Sequence, residues 1–300
     1  MKKEYDDGIY EGGINLLTKK RSGYGVMHYN DGSIYRGKWQ NDMYNGEGTY
    51  VSAFDFVRKG FFVDGKLEGK GEEKTSHWHR ISEYKNDEAH GYGKEIMQDN
   101  SCFEGLFEEG RRKKGKIFTA EGKLFFEGTF FHPEGVFFVN IIGQPYVDKF
   151  CGYGTMYFED RKYTGKIYGG YPNGLGYQEW YDGGSYYGTF KDGKRTGFGV
   201  MEFSDFGCAI GEFEESTLNG KGIKINEPFH VVEGNFVDGE PFGHSIYRIF
   251  SVGSYYEGEM KNGYFDGEGT FYYYNGGYRK GVWRDDELDG KGELEFHHLH

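Results

Sequence analysis

This chain of 300 residues contains little cysteine, no long apolar run and no excess of basic residues. The cysteines are only three, Cys102, Cys151 and Cys208, and their odd number predicts free thiols in a reducing, intracellular compartment. No stretch approaches the ~18 consecutive apolar residues that a transmembrane helix needs. The first residues also lack the apolar core of a signal peptide. We therefore expect a protein that is neither secreted nor transmembrane.

The charge is acidic and unevenly distributed. Lys and Arg total 36 against 48 Asp and Glu, a net charge of −12. Residues 1–150 hold 22 basic and 24 acidic residues, or −2, whereas residues 151–300 hold 14 and 24, or −10. An acidic chain without a basic stripe argues against nucleic acid as the main partner. The same balance argues against strong binding to anionic membranes.

What the chain does contain is a block of a little over twenty residues that recurs from end to end. The first half of the block reads aromatic-x-Gly-x-aromatic or apolar, and the second half reads Gly-x-Gly. Gly23, Gly46 and Gly69 follow one another at equal steps. A fixed period of this length predicts a solenoid, in which each unit buries its apolar face on the next. The residues that define the repeat most clearly are Tyr35, Gly37, Trp39, Gly46, Gly48, Phe103, Gly105, Phe107, Tyr163, Gly165, Tyr256, Gly258, Trp283, Gly290 and Gly292.

One unit reads as a β-hairpin. From Tyr35 to Trp39, apolar or glycine residues alternate with charged ones, which is typical of a half-buried strand. Residues 40–46 form a turn-favouring cluster, and a second strand then runs from Gly46 to Tyr50. Short segments such as 30–32, 182–184 and 275–277 are predicted to link the hairpins, because their glycines supply positive φ.

The strand glycines require an explanation, since glycine weakens a strand. We predict that a ring from a neighbouring strand lies over each glycine, where no Cβ blocks it. Phe and Tyr number 27 each, so the predicted core is aromatic rather than aliphatic. Offset or edge-on ring pairs add about 0.5–1.5 kcal/mol each beyond the area they bury.

This signature resembles the MORN (membrane occupation and recognition nexus) repeat family over nearly the whole chain. The resemblance implies an all-β fold, an elongated, twisted antiparallel meander or solenoid of about 12–13 hairpins. Some copies depart from the pattern, with Ser82 in place of the first-strand glycine and Ser245 in place of the last glycine of one pair. Twelve units have a recognisable first strand, and they open at or near residues 10, 35, 58, 80, 103, 126, 163, 186, 209, 232, 256 and 279.

The rhythm breaks once, over residues 131–150. This segment contains Pro133, Pro145 and the apolar run 136–142, and it reads as a truncated or distorted unit. It is either an insertion that the array tolerates or a docking site or joint, and exposed apolar residues would favour the latter. The predicted organisation is an N-terminal array of about six repeats over 1–130, the irregular segment 131–150, a C-terminal array of about six repeats over 151–296, and a tail over 297–300.

One basic cluster is a candidate for binding anions or lipid. Arg111, Arg112, Lys113 and Lys114 stand where a hairpin loop is expected, and four consecutive cations suit phosphate groups such as phosphoinositide heads. The alternative is a solvated loop balanced by the preceding acidic residues. Residues 19–21, also basic and in a predicted loop, leave the same two interpretations open.

Catalytic, cofactor and metal sites are not predicted. His77 and His79 would share one side of a strand, but zinc needs three or four ligands and no third is identifiable. The histidines of 297–300 read as a frayed tail. Glutamates that precede the strand glycine recur in many units, whereas glycosidase chemistry needs one pair in distinct environments. The Gly-x-Gly pairs are not a dinucleotide fingerprint, because no helix follows them.

Three functional hypotheses remain. The first is a non-enzymatic scaffold that binds protein segments, and the resemblance implies proteins of a cytoskeletal complex (cilium or flagellum axoneme, basal structure or cell cortex) and homodimers as partners. The second is a phospholipid-binding membrane tether that uses Arg111–Lys114. The third, a carbohydrate- or choline-binding aromatic repeat, fits less well because such modules are usually secreted.

Overall fold

The computed structural model describes residues 2–131, 150–226 and 229–295. These residues form antiparallel strands and turns and contain no helix, so no helical segment among them could cross a membrane. The chain divides into two compact units, unit 1 (Met1–Gly154) and unit 2 (Thr155–His300). The predicted all-β hairpin solenoid is confirmed.

Consecutive strands pair with each other throughout each unit. In unit 1 the strands are β1 (Lys2–Tyr5), β2 (Gly8–Ile14), β3 (Arg21–Tyr29), β4 (Ile34–Gln40), β5 (Met43–Val51), β6 (Val57–Val63), β7 (Lys66–Lys74), β8 (Trp78–Lys85), β9 (Glu88–Met97), β10 (Cys102–Glu108), β11 (Arg111–Phe118) and β12 (Leu124–Phe130). The unit boundary falls within β13 (Gly152–Tyr157). In unit 2 they are β14 (Arg161–Tyr168), β15 (Tyr171–Trp180), β16 (Ser185–Lys191), β17 (Lys194–Glu202), β18 (Cys208–Glu214), β19 (Thr217–Asn226), β20 (His230–Val237), β21 (Glu240–Ile249), β22 (Ser254–Lys261), β23 (Tyr264–Tyr272), β24 (Tyr278–Arg284) and β25 (Glu287–Glu295).

All twelve predicted first strands are present, and the register aligns their glycines. Gly37 lies opposite Gly48 in the β4–β5 pair, and Gly165 lies opposite Gly176 in the β14–β15 pair. Side chains at a given repeat position therefore form continuous rows across the strands. One side of each sheet, the packed face, carries the buried aromatic rows, and the other side is the open face.

The hairpin turns are shorter than the sequence predicts. The predicted turn over 40–46 contains only two turn residues, Asn41 and Asp42, and β5 already begins at Met43. Both turn residues have positive φ, 52° and 71°, which Asn and Asp tolerate and which tight hairpin turns require. The linking turns are as predicted, with a φ of 89° at Gly32 and 110° at Gly183.

The two glycines of each Gly-x-Gly pair serve different purposes. Gly46 and Gly290 have φ values of 108° and 81°, and the register of β4 and β5 shifts between Gly37 and Trp39. The first glycine thus supplies the positive φ beside a β-bulge. The second glycine leaves room for a side chain, because a Cβ on Gly48 would lie 2.6 Å from Cζ of Tyr35.

The prediction that a neighbouring strand supplies the ring is correct for the second glycine of the pair and wrong for the first-strand glycine. Tyr35 leans along its own strand over Gly37 and reaches Gly48, and its hydroxyl donates to the carbonyl of Lys38 at 3.1 Å. Tyr163 and Tyr256 make the same bond, at 3.0 and 2.9 Å. The predicted aromatic positions are all buried, namely Tyr35, Trp39, Phe103, Phe107, Tyr163, Tyr256 and Trp283.

A leucine fills this space in three hairpins that lack the ring. Arg58, Ala209 and Arg279 stand at the ring position of β6, β18 and β24. The nearest side chains to the glycine pairs there are the leucines of the following strand, Leu67, Leu218 and Leu288. At Gly292 the leucine is Leu288, whose Cδ2 lies 2.5 Å from a built Cβ. The opposed glycines are thus present whether an aromatic ring or a leucine side chain packs over them.

Most hairpin turns of the described residues are hydrogen-bonded to the hairpin before them. The Asp42 amide donates to the Arg21 carbonyl at 3.3 Å, and the Arg21 amide donates to Oδ1 of Asp42 at 2.8 Å. Leu67 and Asp87 repeat the arrangement, with the same side-chain bond at 2.8 Å. Since these bonds satisfy exposed backbone groups, they fix the spacing between neighbouring hairpins.

The irregular segment lies outside the described residues except at its two ends. Phe131 donates a backbone bond to Cys151 at 3.0 Å, and the rings of Phe130 and Phe150 are 5.6 Å apart. A Cβ on Gly128 would lie 2.8 Å from Cα of Gly154, so β12 and the start of β13 are neighbours. The tail 297–300 also lies outside the described residues.

Candidate functional site

The basic cluster does not form the hairpin loop that the sequence predicts. Glu109 and Gly110 make that turn, and the cluster forms the first half of strand β11. Arg112 is turned into the packed face, where its guanidinium lies 2.9 Å from Glu95, while Lys113 pairs with Glu108 at 2.5 Å. Arg111, Lys113 and Lys114 are exposed. The four cations therefore do not form one patch, because the strand sends them in different directions.

The other basic and histidine candidates are also dispersed. Lys19 and Lys20 are exposed in the turn after β2, whereas Arg21 lies on β3 and pairs with Asp42 at 3.2 Å. His77 lies in a turn rather than on a strand, so it does not share a strand side with His79. Within the described ranges, no group of three or more His, Cys, Asp and Glu residues could hold a metal ion.

A row of charged residues replaces the rings in the packed face of unit 1. Arg58, Glu73, Arg80 and Glu95 lie opposite one another in register on β6 to β9. Glu73 is 6% exposed and Glu95 is 3% exposed, so the carboxylates of the row are buried, and the two arginines are half-buried. The N–O distances from Arg58 to Glu73 and from Arg80 to Glu95 are 2.7 and 2.8 Å. We call these four residues, with Arg112, the charged row.

The charged row is internally neutralised. Glu95 lies between Arg80 and Arg112, and Arg58 also pairs with Asp87 at 2.7 Å. Burial alone would raise the pKa of Glu95, but the two guanidinium groups outweigh it and hold the pKa below its ordinary value. An alternating set of paired charges is a structural core and offers no uncompensated charge to a ligand.

The open face of unit 1 is polar along its central row. Most residues that precede or follow the strand glycines there are charged or polar, and several lie opposite each other as oppositely charged pairs, whereas Val26 and Ile81 are single apolar members of the row. Lys94 pairs with Glu104 at 2.7 Å, and Lys116 pairs with Glu127 at 3.5 Å. The recurring glutamates thus form a solvated, ion-paired surface, in keeping with the structural reading of their repetition.

The same row is apolar over five consecutive strands of unit 2. Tyr177, Tyr187, Val200, Ile210 and Ile223 lie opposite one another in register on β15 to β19. Tyr187 is 53% exposed, and Val200, Ile210 and Ile223 are half-buried. At ~4.8 Å per strand the row extends about 19 Å. We call these five residues the apolar row.

Further exposed side chains widen the apolar row. Leu175 and Phe198 are 60% and 65% exposed, and they lie between the paired glycines of β15 and β17. Single exposed apolar residues are ordinary, but a contiguous set on one sheet face marks an interaction surface. The sequence signal for this surface is the run of apolar residues at one repeat position through five strands, a pattern that chemical motifs do not reveal.

The repeat geometry agrees with the comparison to known families. The model of the MORN repeat matches residues 19–34, 35–53, 59–75, 81–102, 148–161, 186–208, 256–278 and 280–297. No curated protein matches the chain. The matched segments cover half of the chain, so the chain belongs to the MORN repeat family.

Proposed function

We propose that this protein is a non-enzymatic scaffold that binds another protein along the apolar row of unit 2, within a cytoskeletal assembly. MORN repeats are known in scaffold and in membrane-binding proteins, and the family is generally non-catalytic. The observation that carries the proposal is the contrast between the two open faces. The row position holds ion pairs and only two isolated apolar residues, Val26 and Ile81, in unit 1, whereas in unit 2 it holds five consecutive apolar residues.

The charge around the apolar row defines the partner. Residues 155–300, which make up unit 2, contain 14 basic and 24 acidic residues, so their net charge is −10. Glu212 lies next to the row, opposite Phe198, and Glu233 continues the row after Ile223. An apolar protein segment flanked by basic residues complements this surface in both polarity and sign. An apolar strip this narrow suits one strand or one helix face.

The test compares Tyr187→Asp with a matched control at the same repeat position. Ile81 of unit 1 corresponds to Tyr187 and is 46% exposed, so Ile81→Asp places the same charge on the same kind of site outside the apolar row. The full-length tagged protein is expressed in cells, and detergent extraction is followed by sedimentation and cross-linking. We expect Tyr187→Asp to lower the cytoskeletal fraction about tenfold, since a central interface residue contributes ~1–3 kcal/mol.

Ile81→Asp should leave the cytoskeletal fraction as it is in the wild type. Both variants should keep the wild-type melting temperature, which shows that they are folded. Equal retention of Tyr187→Asp and wild type would show that the apolar row is not the binding surface. Release of the wild type from a membrane fraction by detergent would favour the phospholipid tether instead. In that case sedimentation with anionic vesicles, repeated with Arg111→Ala, Lys113→Ala and Lys114→Ala together, decides whether the three exposed cations of the basic cluster hold lipid.

A further inference from the structure

A cleft in unit 2 lies at the ends of β15 and β17, apart from the apolar row. It has a volume of about 720 Å³. Its half-buried lining includes Arg195, Trp180, Met201 and Phe203, and the exposed carboxylates Asp182, Glu202 and Asp205 surround it. The Arg195 guanidinium lies over the Trp180 ring, with its Cζ 5.2 Å from the ring centroid. A cation on an apolar, aromatic floor is the feature that needs explanation.

The repeat supplies an internal reference for Arg195, because Arg21 occupies the same position in unit 1. Both arginines lie at the start of the second strand of a hairpin, two residues before the first glycine of its Gly-x-Gly pair. Each guanidinium lies over a ring and donates to the sulfur of the methionine six residues later, Met27 or Met201. Each also donates to the carbonyl of the second turn residue of the next hairpin, at 3.4 Å for Asp42 and 2.7 Å for Ser216.

The two arginines differ in their counterions. Arg21 has two carboxylates, Asp42 at 3.2 Å and Asp7 at 3.7 Å. At Arg195 the residue corresponding to Asp42 is Ser216, whose hydroxyl accepts the Arg195 backbone N–H at 3.1 Å and brings no charge. Asp182 lies in the turn that corresponds to the turn of Asp7. Its carboxylate accepts a hydrogen bond from the Gly184 amide at 3.3 Å, whereas that of Asp7 pairs with Arg21.

Arg195 is therefore a desolvated cation without a carboxylate within ion-pair distance, as far as the described residues go. Burial lowers the pKa of its guanidinium, and the nearby charge of Arg161 lowers it further. By contrast, Arg80 in the charged row has a raised pKa, because Glu95 compensates its burial. A half-buried arginine normally has a carboxylate partner, since burying an unpaired charge is costly.

We propose that the cleft at Arg195 binds a carboxylate group of a partner polypeptide. The planar guanidinium matches a carboxylate in a two-bond arrangement, and Trp180, Met201 and Phe203 accept the apolar part of the residue that carries it. The ligand would take the place that Asp42 occupies beside Arg21. This inference does not rest on the apolar row, and it concerns different residues.

The carboxylates around the cleft restrict the ligand further. Asp182, Glu202 and Asp205 repel anions with several charges, so a phosphoinositide head or a nucleic acid is a poor match. A single carboxylate next to basic residues suits both the arginine and its surroundings. The carboxylate can come from an Asp or Glu side chain with basic neighbours or from a chain terminus.

The most direct test supplies the missing carboxylate from within. Ser216 has a φ of 75° and Asp42 a φ of 71°, so Ser216→Asp fits the same turn geometry. We expect Ser216→Asp to raise the melting temperature and to weaken ligand binding at least tenfold. Ser216→Asn, which has the same shape without the charge, is the matched control and should bind as the wild type does. A variant that gains stability while losing binding cannot be dismissed as misfolded.

Binding is measured on the full chain with 3-phenylpropionate as the probe and with the neutral 3-phenylpropanol and inorganic phosphate as comparisons. The readout is the NMR signal of the Met201 methyl group, assigned with Met201→Leu. A saturable shift with 3-phenylpropionate alone supports the proposal. Shifts of the same size with 3-phenylpropanol or with phosphate would overturn it. So would unchanged binding of 3-phenylpropionate to Ser216→Asp, or a loss of binding in Ser216→Asn as large as in Ser216→Asp.

Peptides then distinguish the two sources of the carboxylate. One peptide carries an internal Glu between lysines and an amidated end, and a second carries no acidic side chain but a free terminal carboxylate. The tighter binder identifies the source, and its binding should fall at least tenfold in Ser216→Asp. A third peptide with neither group that binds as tightly would contradict the proposal.

Discussion

Replacing Glu95 by alanine is expected to destabilise unit 1 by about 3–5 kcal/mol, the largest effect of any single substitution considered for this protein. Glu95 is 3% exposed and lies 2.8 Å from Arg80 and 2.9 Å from Arg112. Without its carboxylate, two buried guanidinium groups face each other across a cavity. Arg80 keeps Glu73 at 3.7 Å, so the loss combines reduced charge compensation, like-charge repulsion and lost packing.

Urea unfolding followed by peptide-resolved hydrogen exchange measures this effect, since the exchange separates unit 1 from unit 2. The matched control is Glu104→Ala. Glu104 pairs with Lys94 at 2.7 Å on the open face, where both side chains are partly exposed, and the expected loss is less than about 1 kcal/mol. Equal losses for the two variants would mean that burial does not set the strength of these pairs.

The charged row also predicts how unit 1 responds to acid. The folded pKa of Glu95 lies below its ordinary value of 4.5, so its ionisation stabilises the fold above that pH. This contribution is lost as the pH falls from about 4.5 through the lower, folded pKa. In Glu95→Gln, the stability of unit 1 should fall less steeply over that range, although it starts from a lower value. An unchanged slope would contradict the assignment.

The second large effect is expected from adding one methyl group at Gly48. A Cβ there would lie 2.6 Å from Cζ of Tyr35 and would overlap the hydroxyl, which is already bonded to the Lys38 carbonyl at 3.1 Å. The ring is fully buried and has no free direction in which to move. Gly48→Ala should therefore cost about 3 kcal/mol, the upper part of the range for overpacking.

Gly71→Ala is the matched control, because Gly71 occupies the same repeat position under a leucine. Its Cβ would lie 3.0 Å from Cδ2 of Leu67, the flexible end of a side chain, and 3.1 Å from the backbone oxygen of Lys59, so a shift of a few tenths of an ångström suffices and the expected loss is about 1 kcal/mol. Removing the ring should remove most of this cost. Gly48→Ala is therefore expected to destabilise the Tyr35→Leu variant less than it destabilises the wild type. An additive double mutant would show that the ring is not what excludes a side chain at Gly48.

The periodic features of this fold could be predicted from the sequence, whereas features that depend on unlike neighbours could not. The alternation around Gly37 and the constant repeat length predicted the strands and the buried rings, because each recurs in many copies. The turn at Asn41 and Asp42 was predicted too long, since the bulge at Gly46 lies inside the second strand and resembles a loop in sequence.

The charged row and the cleft required the structure. Arg58 and Glu73 lie on successive strands and become opposed only through the register of β6 and β7. The basic cluster was predicted to lie together in a loop, but its two-residue turn comes just before it and the pleat then separates its side chains. The missing counterion of Arg195 becomes evident only by comparison with Arg21. The comparison requires the structure, because it shows that Ser216 in unit 2 takes the position that Asp42 has in unit 1.

The bonds between successive turns also bear on how the chain is made. In the backbone–backbone bonds the amide of the later turn donates to a carbonyl of the hairpin before it, as Asp42 does to Arg21 and Asp87 to Leu67. A hairpin leaving the ribosome therefore finds the edge that receives it already complete, and no described strand within a unit waits for a distant partner. We expect the array to assemble during synthesis, one hairpin at a time, at the pace of translation.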